Sequence, residues 1–236
     1  MHFPDILLRG PEDSGRLGRV ETTVQSLSYP DVLHRGLEAF AELGYEQTSV
    51  RELARRIGVS HNFINDRHGS KIAFWRAVVD YACAELDPLQ LPEDENCTDD
   101  EKLALIVLRY YVNVARNPAV HRLLVDEFSR ESERLNYLYE NYLLPNAELL
   151  GPIIDRLVAA GRMAPVPLYQ LAFAIVGPSS AMVQGPFARR LGRPEPVTTA
   201  NLEQWAEGLA RLVLGGVLPS FQGWDTLNRP GAAAPE

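Results

Sequence analysis

Between Tyr29 and Tyr81 the chain divides itself into four short helices, and this punctuation restricts its fold more than any other feature. Tyr29-Pro30-Asp31 suits a helix start, because proline lacks an N–H that the first turn does not need and an acid favours the positive end of the dipole. Leu33, Leu37, Phe40 and Ala41 follow at i, i+4, i+7 and i+8, one apolar stripe, and Gly44 supplies a stop. Ser49-Val50-Arg51-Glu52 predicts a capping box at the head of a second helix. Val50, Leu53, Ala54 and Ile57 form its stripe, and Gly58 ends it. Ser60 is placed to cap a third, short helix with Phe63 and Ile64. Ser70 is placed to cap a fourth, running through Phe74, Trp75, Val78 and Tyr81.

The rest of the chain also reads as helix. Residues 1–29 lack a period and predict a flexible arm, and Asp87 to Asp100 is an acidic, proline-containing boundary. Leu103, Ile106 or Val107, Tyr110 and Val114 mark a helix stopped at Asn117-Pro118. Further helices are predicted over 118–131, 133–160, 167–190 and 199–218, with Pro145 and Pro152 kinking or dividing the second of these. The last should bury Leu202, Trp205, Leu209, Leu212 and Val213, and a frayed tail should occupy 219–236. No useful length of strand alternation and no internal repeat is present. The fold class is all-α, with domains at 30–82 and 83–218.

A short helix, a Gly-containing turn and a short helix, Arg51 to Arg67, make a helix-turn-helix. In that motif the first helix crosses the DNA backbone and the second enters the major groove. Val59 and Ile64 should face the core, leaving His61, Asn62, Asn65, Asp66 and Arg67 outward. Asn pairs well with adenine, and Arg or His can donate to guanine acceptors. Net charge is −8, but it is unevenly spread: residues 30–82 hold seven basic and seven acidic side chains, whereas 83–236 hold 13 and 20. A neutral small domain can bind phosphates when its basic groups share one face.

The run from Val32 to Ser60 resembles the N-terminal domain of TetR-family transcriptional regulators. Phe40-Ala41-x-x-Gly44-Tyr45, Thr48-Ser49-Val50-Arg51-x-Leu53-Ala54 and Gly58-Val59-Ser60 match in order and spacing, and Gly69-Ser70-Lys71 matches the start of the family's fourth helix. The resemblance implies that Thr48, Ser49 and Lys71 hold phosphate, that Arg51 reaches a phosphate or base, and that His61 and Asn62 lead the reading of bases. Asn65 and His68 stand where the family has Tyr and Phe, so Asn65 would replace a phosphate contact with a shorter amide, and the end of the recognition helix would pack differently. Arg67 completes the candidate DNA-binding set.

The resemblance further implies a one-component regulator, usually a repressor, whose larger C-terminal domain binds a ligand and dimerises. The partners would be a near-palindromic operator, a second copy through helices at about 167–190 and 199–218, and an unidentified small apolar or amphipathic effector. Tyr110, Asn113, Phe128 and Tyr142 are candidate pocket residues, since bundle sites are mostly apolar with a few polar groups. A ligand-binding or protein-interaction module with weak or lost DNA affinity is the alternative.

No catalytic motif is visible: there is no Gly-x-Ser-x-Gly, no phosphate loop and no metal-ligand spacing, so neither an enzyme nor a bound cofactor or metal is predicted. Cys83 and Cys97, two isolated thiols, fit a reducing compartment. The first residues lack a signal-peptide pattern, and the longest apolar stretch, 166–183, is interrupted and short for a membrane span. A cytoplasmic protein is expected.

Overall fold

The computed structural model describes residues 27–86 and 97–227, and all regular structure among them is helical. Most of the N-terminal arm, most of the 87–100 boundary and the end of the tail lie outside those residues. Helices α1 (Tyr29–Leu43), α2 (Val50–Ile57), α3 (Phe63–His68) and α4 (Lys71–Ala84) form the N-terminal unit. The capping box belongs to α1, where Ser28 Oγ accepts from the Asp31 N–H at 3.3 Å and Asp31 accepts from the Ser28 N–H at 3.2 Å. At α2 only half of the predicted box forms. Ser49 Oγ accepts from the Glu52 N–H at 3.1 Å, while the Glu52 carboxylate is drawn away to Arg55 and Arg56. Gly58, at φ 83°, ends α2 in the left-handed region that glycine tolerates.

The third helix starts later than Ser60 predicts. Its first residue is Phe63, and Asn62 precedes it without a side-chain cap. His61 and Asn62 therefore stand in the turn before the recognition helix rather than on it.

One apolar core joins Leu33, Phe40, Leu53, Ile57, Ile64 and Phe74, all nearly inaccessible, and continues into Val120, Leu123 and Leu138. Those last three come from α6 (Pro118–Glu127) and α7 (Glu133–Leu138), so the N-terminal unit is seated on the C-terminal one through shared side chains. A second core packs α5 (Asp99–Arg116), α8 (Leu144–Ala159) and α12 (Thr199–Val217) through Leu103, Tyr111, Ile153, Leu157, Ala210 and Leu214.

The division expected beside Pro145 occurs, Pro152 stays inside α8, and two other long helical predictions need correcting. The 133–160 helix divides between α7 and α8 at a π-helical turn, Tyr139–Leu143. Pro145 has no N–H to continue the ladder, and the Leu144 N–H reaches back five residues to the Tyr139 carbonyl. The 167–190 helix breaks at Gly177-Pro178 and Gly185-Pro186 into α9 (Leu168–Val176), a 3₁₀ turn, α10 (Ser180–Val183) and α11 (Gly185–Arg190). In α12 the buried stripe is Ala206, Ala210 and Leu214, whereas Leu212, predicted as core, is 76% exposed. The chain also stays ordered beyond 218: Phe221 is buried, Trp224 packs against the second core, and α13 (Trp224–Leu227) follows.

Candidate DNA-binding surface

The N-terminal unit is pinned by ion pairs and one backbone clamp. Arg56 bridges Glu52 on its own helix and Glu42 on α1, at 3.0 and 2.6 Å. The Arg35 guanidinium donates to the Ile57 carbonyl at 2.9 Å, fixing the end of α2 against α1. The two arginines that donate to Glu52 hold its carboxyl down to about 2. Arg55 and Arg56 thus each carry an ion pair within the domain, Arg55 from an exposed position.

The remaining polar side chains divide into two groups. Ser49, Arg51, His61, Asn62, Asn65 and Arg67 are all exposed, at the start of α2, in the turn and on α3. His61 Nδ1 and Asn62 Oδ1 lie 2.8 Å apart, so the two turn residues orient each other. The Arg67 guanidinium lies 4.1 Å from the Tyr29 ring centre. Asp66 has no ion pair among the described residues, and its neighbour Arg67 faces Tyr29 instead.

Thr48 and Lys71 belong elsewhere. Thr48 is completely buried, and its hydroxyl donates to the Gly44 carbonyl at 2.5 Å. A phosphate cannot reach it, which corrects the role implied by resemblance. Lys71 Nζ donates to the Tyr45 and Thr48 carbonyls, each at 3.0 Å, and lies 3.9 Å from the Tyr45 ring centre. Burial lowers its pKa. Its ammonium is turned into the α1–α2 connection, so the residue acts as a clamp on that connection.

His68 answers the departure noted in the sequence. It occupies an aromatic niche made by Tyr29, Phe63 and Phe74, with ring centres 6.0, 6.4 and 5.0 Å away. Its Nε2 is buried with no hydrogen-bond partner, and burial, reinforced by Arg67, lowers its pKa. The imidazole thus substitutes for an apolar anchor by staying neutral.

The four candidate pocket residues do not converge. Phe128 lines a cleft of about 890 Å³ between the 40–47 segment, α6 and the α9–α10 region. Tyr110 lies behind the wall of that cleft, its hydroxyl donating to Ser179 Oγ at 3.2 Å, with His121 Nε2 2.8 Å from the same oxygen. Asn113 is buried within α5. Tyr142 is on another face, donating to Asp80 at 2.6 Å beside Tyr137 at 2.5 Å. The sequence showed aromatic residues but not which helix faces meet, and it missed His121, Ser179 and Asp80 altogether. Among the described residues no cluster of His, Cys, Asp or Glu could hold a metal ion, and no helix is long and apolar enough to cross a membrane. Cys83 and Cys97 are free thiols, and burial pushes the first up to about 12.

Residues 32–78 match the family model described as bacterial regulatory proteins, tetR family. No curated protein matches the chain. Among solved structures, a TetR transcriptional regulator family member from Streptomyces coelicolor is 22% identical, with a TM-score of 0.60 over 79% of this chain and 90% of its own. PfmR, a TetR family regulator from Thermus thermophilus, is 20% identical, with a TM-score of 0.57 over 81% and 98%. FadR from Bacillus subtilis, solved with stearoyl-CoA, is 18% identical, with a TM-score of 0.56 over 80% and 100%. These likenesses extend the shared fold from the N-terminal unit to most of the chain.

Proposed function

We propose that this chain, whose residues 32–78 belong to the tetR family of bacterial regulatory proteins, is a cytoplasmic, sequence-specific transcriptional regulator, a repressor that a small apolar or amphipathic molecule releases from DNA. The observation that carries the reading is the exposed polar rim of Ser49, Arg51, His61, Asn62, Asn65 and Arg67 on a fully packed helix-turn-helix. Arg51 and Ser49 are assigned to phosphate, and His61, Asn62 and Asn65 to base edges, with Arg67 at the border of the two.

Dimerisation is assigned to the α9–α12 region. Leu168, Tyr169, Phe187, Leu191 and Leu212 are all more than half exposed there, more apolar surface than a soluble monomer usually leaves open. Two recognition helices related by a twofold axis would meet successive major grooves about 34 Å apart on a near-palindromic site. Effector release needs only a ligand that prefers the non-binding state. A coupling of about 1–3 kcal/mol changes occupancy 5–150-fold. FadR, which shares the fold, was solved with an acyl-CoA, and this supports an amphipathic ligand class.

The test is a footprint on the DNA upstream of the protein's own gene. Protection of a near-palindrome at low salt, weakened in Arg51→Ala, supports the reading. Absence of specific protection overturns it in favour of a binding module that kept the fold and lost DNA affinity, the direction in which unpaired Asp66 and the net charge of −8 point.

A further inference from the structure

Ile64 is fully buried and fixes the inner side of α3. With about 100° between successive residues of a helix, Asp66 is turned about 200° from Ile64 and stands on the opposite, outer side. Asn62, one turn earlier, shares that side. Arg67 lies on the flank that faces Tyr29, and Asn65 lies on the other flank. Phe63 and His68 are half-buried, and both rings pack inward with Phe74 or with each other. The outermost point of the recognition helix is therefore an acid.

That acid is left without a partner inside the protein. Asp66 makes no side-chain hydrogen bond or ion pair among the described residues. Its neighbour Arg67 is occupied with the Tyr29 ring, 4.1 Å from its centre. Arg55 and Arg56 are paired with Glu52 and Glu42. An acid in the first turn suits the helix dipole, but a dipole partner has no preference among bases.

The outer side of a recognition helix meets base edges on the floor of the major groove, and its flanks pass the phosphates. A carboxylate only accepts hydrogen bonds, so guanine N7 and O6 and thymine O4 repel it, as phosphates do. The donors on that floor are cytosine N4 and adenine N6. Adenine N6 stands beside N7, a second acceptor that a carboxylate cannot satisfy, whereas the same edge of cytosine carries no acceptor. We propose that Asp66 is a specificity-determining residue that accepts a hydrogen bond from N4 of a cytosine, once in each half-site of the operator. The inference rests on the regulator reading. One residue then supplies both attraction and rejection: it is satisfied by one base pair, and it faces the other three as an unpaired charge removed from water. Holding Arg67 against Tyr29 keeps the carboxylate free for this contact.

The experiment selects binders from a pool of random-sequence duplexes at low salt with the full chain, as wild type, Asp66→Asn and Asp66→Ala. Circular dichroism checks that each variant is folded. The wild type should enrich a site with an invariant cytosine at one position of each half-site. Replacing that cytosine by any other base should weaken binding about fivefold or more. Asparagine pairs with adenine N6 and N7, so Asp66→Asn should change that position to adenine and leave the others as they are. Asp66→Ala should lose the preference there and nowhere else. If wild type and Asp66→Asn enrich the same bases at every position, the proposal is overturned and the regulator reading stands. Enrichment by the variants but not by the wild type overturns it too, since Asp66 then repels DNA outright. If no form of the protein enriches any sequence, the regulator reading falls and the proposal falls with it.

Discussion

The Lys71 ammonium lies 3.0 Å from the Thr48 carbonyl oxygen, which joins the first residue of α4 to the residue that precedes the cap of α2. A second bond of the same length, to Tyr45, closes the clamp. Charged hydrogen bonds of this kind contribute about 1.5–3 kcal/mol each when well formed, part of which the desolvation of the ammonium offsets. Lys71→Met should therefore lower stability by about 1–3 kcal/mol, read as the midpoint of urea unfolding, and loosen the α1–α2 connection. Because the cation faces inward, the salt dependence of operator binding should hardly change. Arg51→Ala should do the reverse, leaving stability intact and reducing the salt slope by about one. A slope reduced by a full unit in Lys71→Met would restore that residue to the phosphate contacts.

At Gly36, α1 lies close against α4. A Cβ there would lie 2.8 Å from Phe74 Cζ and 2.9 Å from Val78 Cγ2. Phe74 and Val78 are both fully buried and cannot retreat. Gly36→Ala gains helix propensity, but overpacking of this kind costs about 1–3 kcal/mol and should dominate. The variant should melt earlier than wild type in a thermal scan, and an unchanged or raised Tm would mean that the α1–α4 contact is softer than described.

These two examples show what a sequence can and cannot disclose. The helices of the N-terminal unit were legible because glycines at 44 and 58 and serines at 49 and 70 carry local signals. The outward residues of α3 were legible for the same reason, since Ile64 fixes its buried face. Lys71 was not, because a lysine at a helix start has the same local signature whether it reaches out to phosphate or back to a carbonyl 23 residues away. The π-helical turn and the breaks at Gly177-Pro178 and Gly185-Pro186 depend on backbone hydrogen bonding that apolar periodicity does not record. Leu212 was misplaced because α12 buries alanines instead, so that α5 and α12 approach closely and the larger residue is left outside.

His68 gives the N-terminal unit a pH dependence. Burial among Tyr29, Phe63 and Phe74, together with the Arg67 charge, lowers its folded pKa below the ordinary histidine value of 6.5. Between those two values the unfolded chain binds more protons than the folded one, so stability falls as pH drops through about 6.5 and is restored above it. His121, lowered in the same direction by burial, adds to this slope. Urea midpoints measured from pH 5 to 8 should rise with pH in the wild type. His68→Phe should flatten part of that rise and His68→Phe with His121→Phe more of it. A wild-type midpoint independent of pH across this window would show that neither imidazole resists protonation.

Asp80 accepts two phenols on the same oxygen, Tyr137 at 2.5 Å and Tyr142 at 2.6 Å. The arrangement joins α4 of the DNA-binding unit to α7 and to the π-helical turn, and it requires that turn, since Tyr142 lies within Tyr139–Leu143. Arg76, one helical turn before Asp80, pairs with Glu133 and lies 5.1 Å from the Tyr137 ring centre, so both ends of the contact are held. Burial, with Asp80 adding to it, pushes the Tyr137 hydroxyl up to about 12, which keeps it a donor at any physiological pH. Tyr137→Phe and Tyr142→Phe should each cost about 1.5–3 kcal/mol at most, the range for a hydrogen bond to a charged acceptor. Two donors share the charge of one oxygen, however, so removing one leaves the other facing a stronger acceptor and recovers part of the loss. The double variant should then lose more than the sum of the single variants, a coupling that a double-mutant cycle of unfolding free energies measures. Strict additivity would mean that each phenol is held by its own packing and that Asp80 does not couple them.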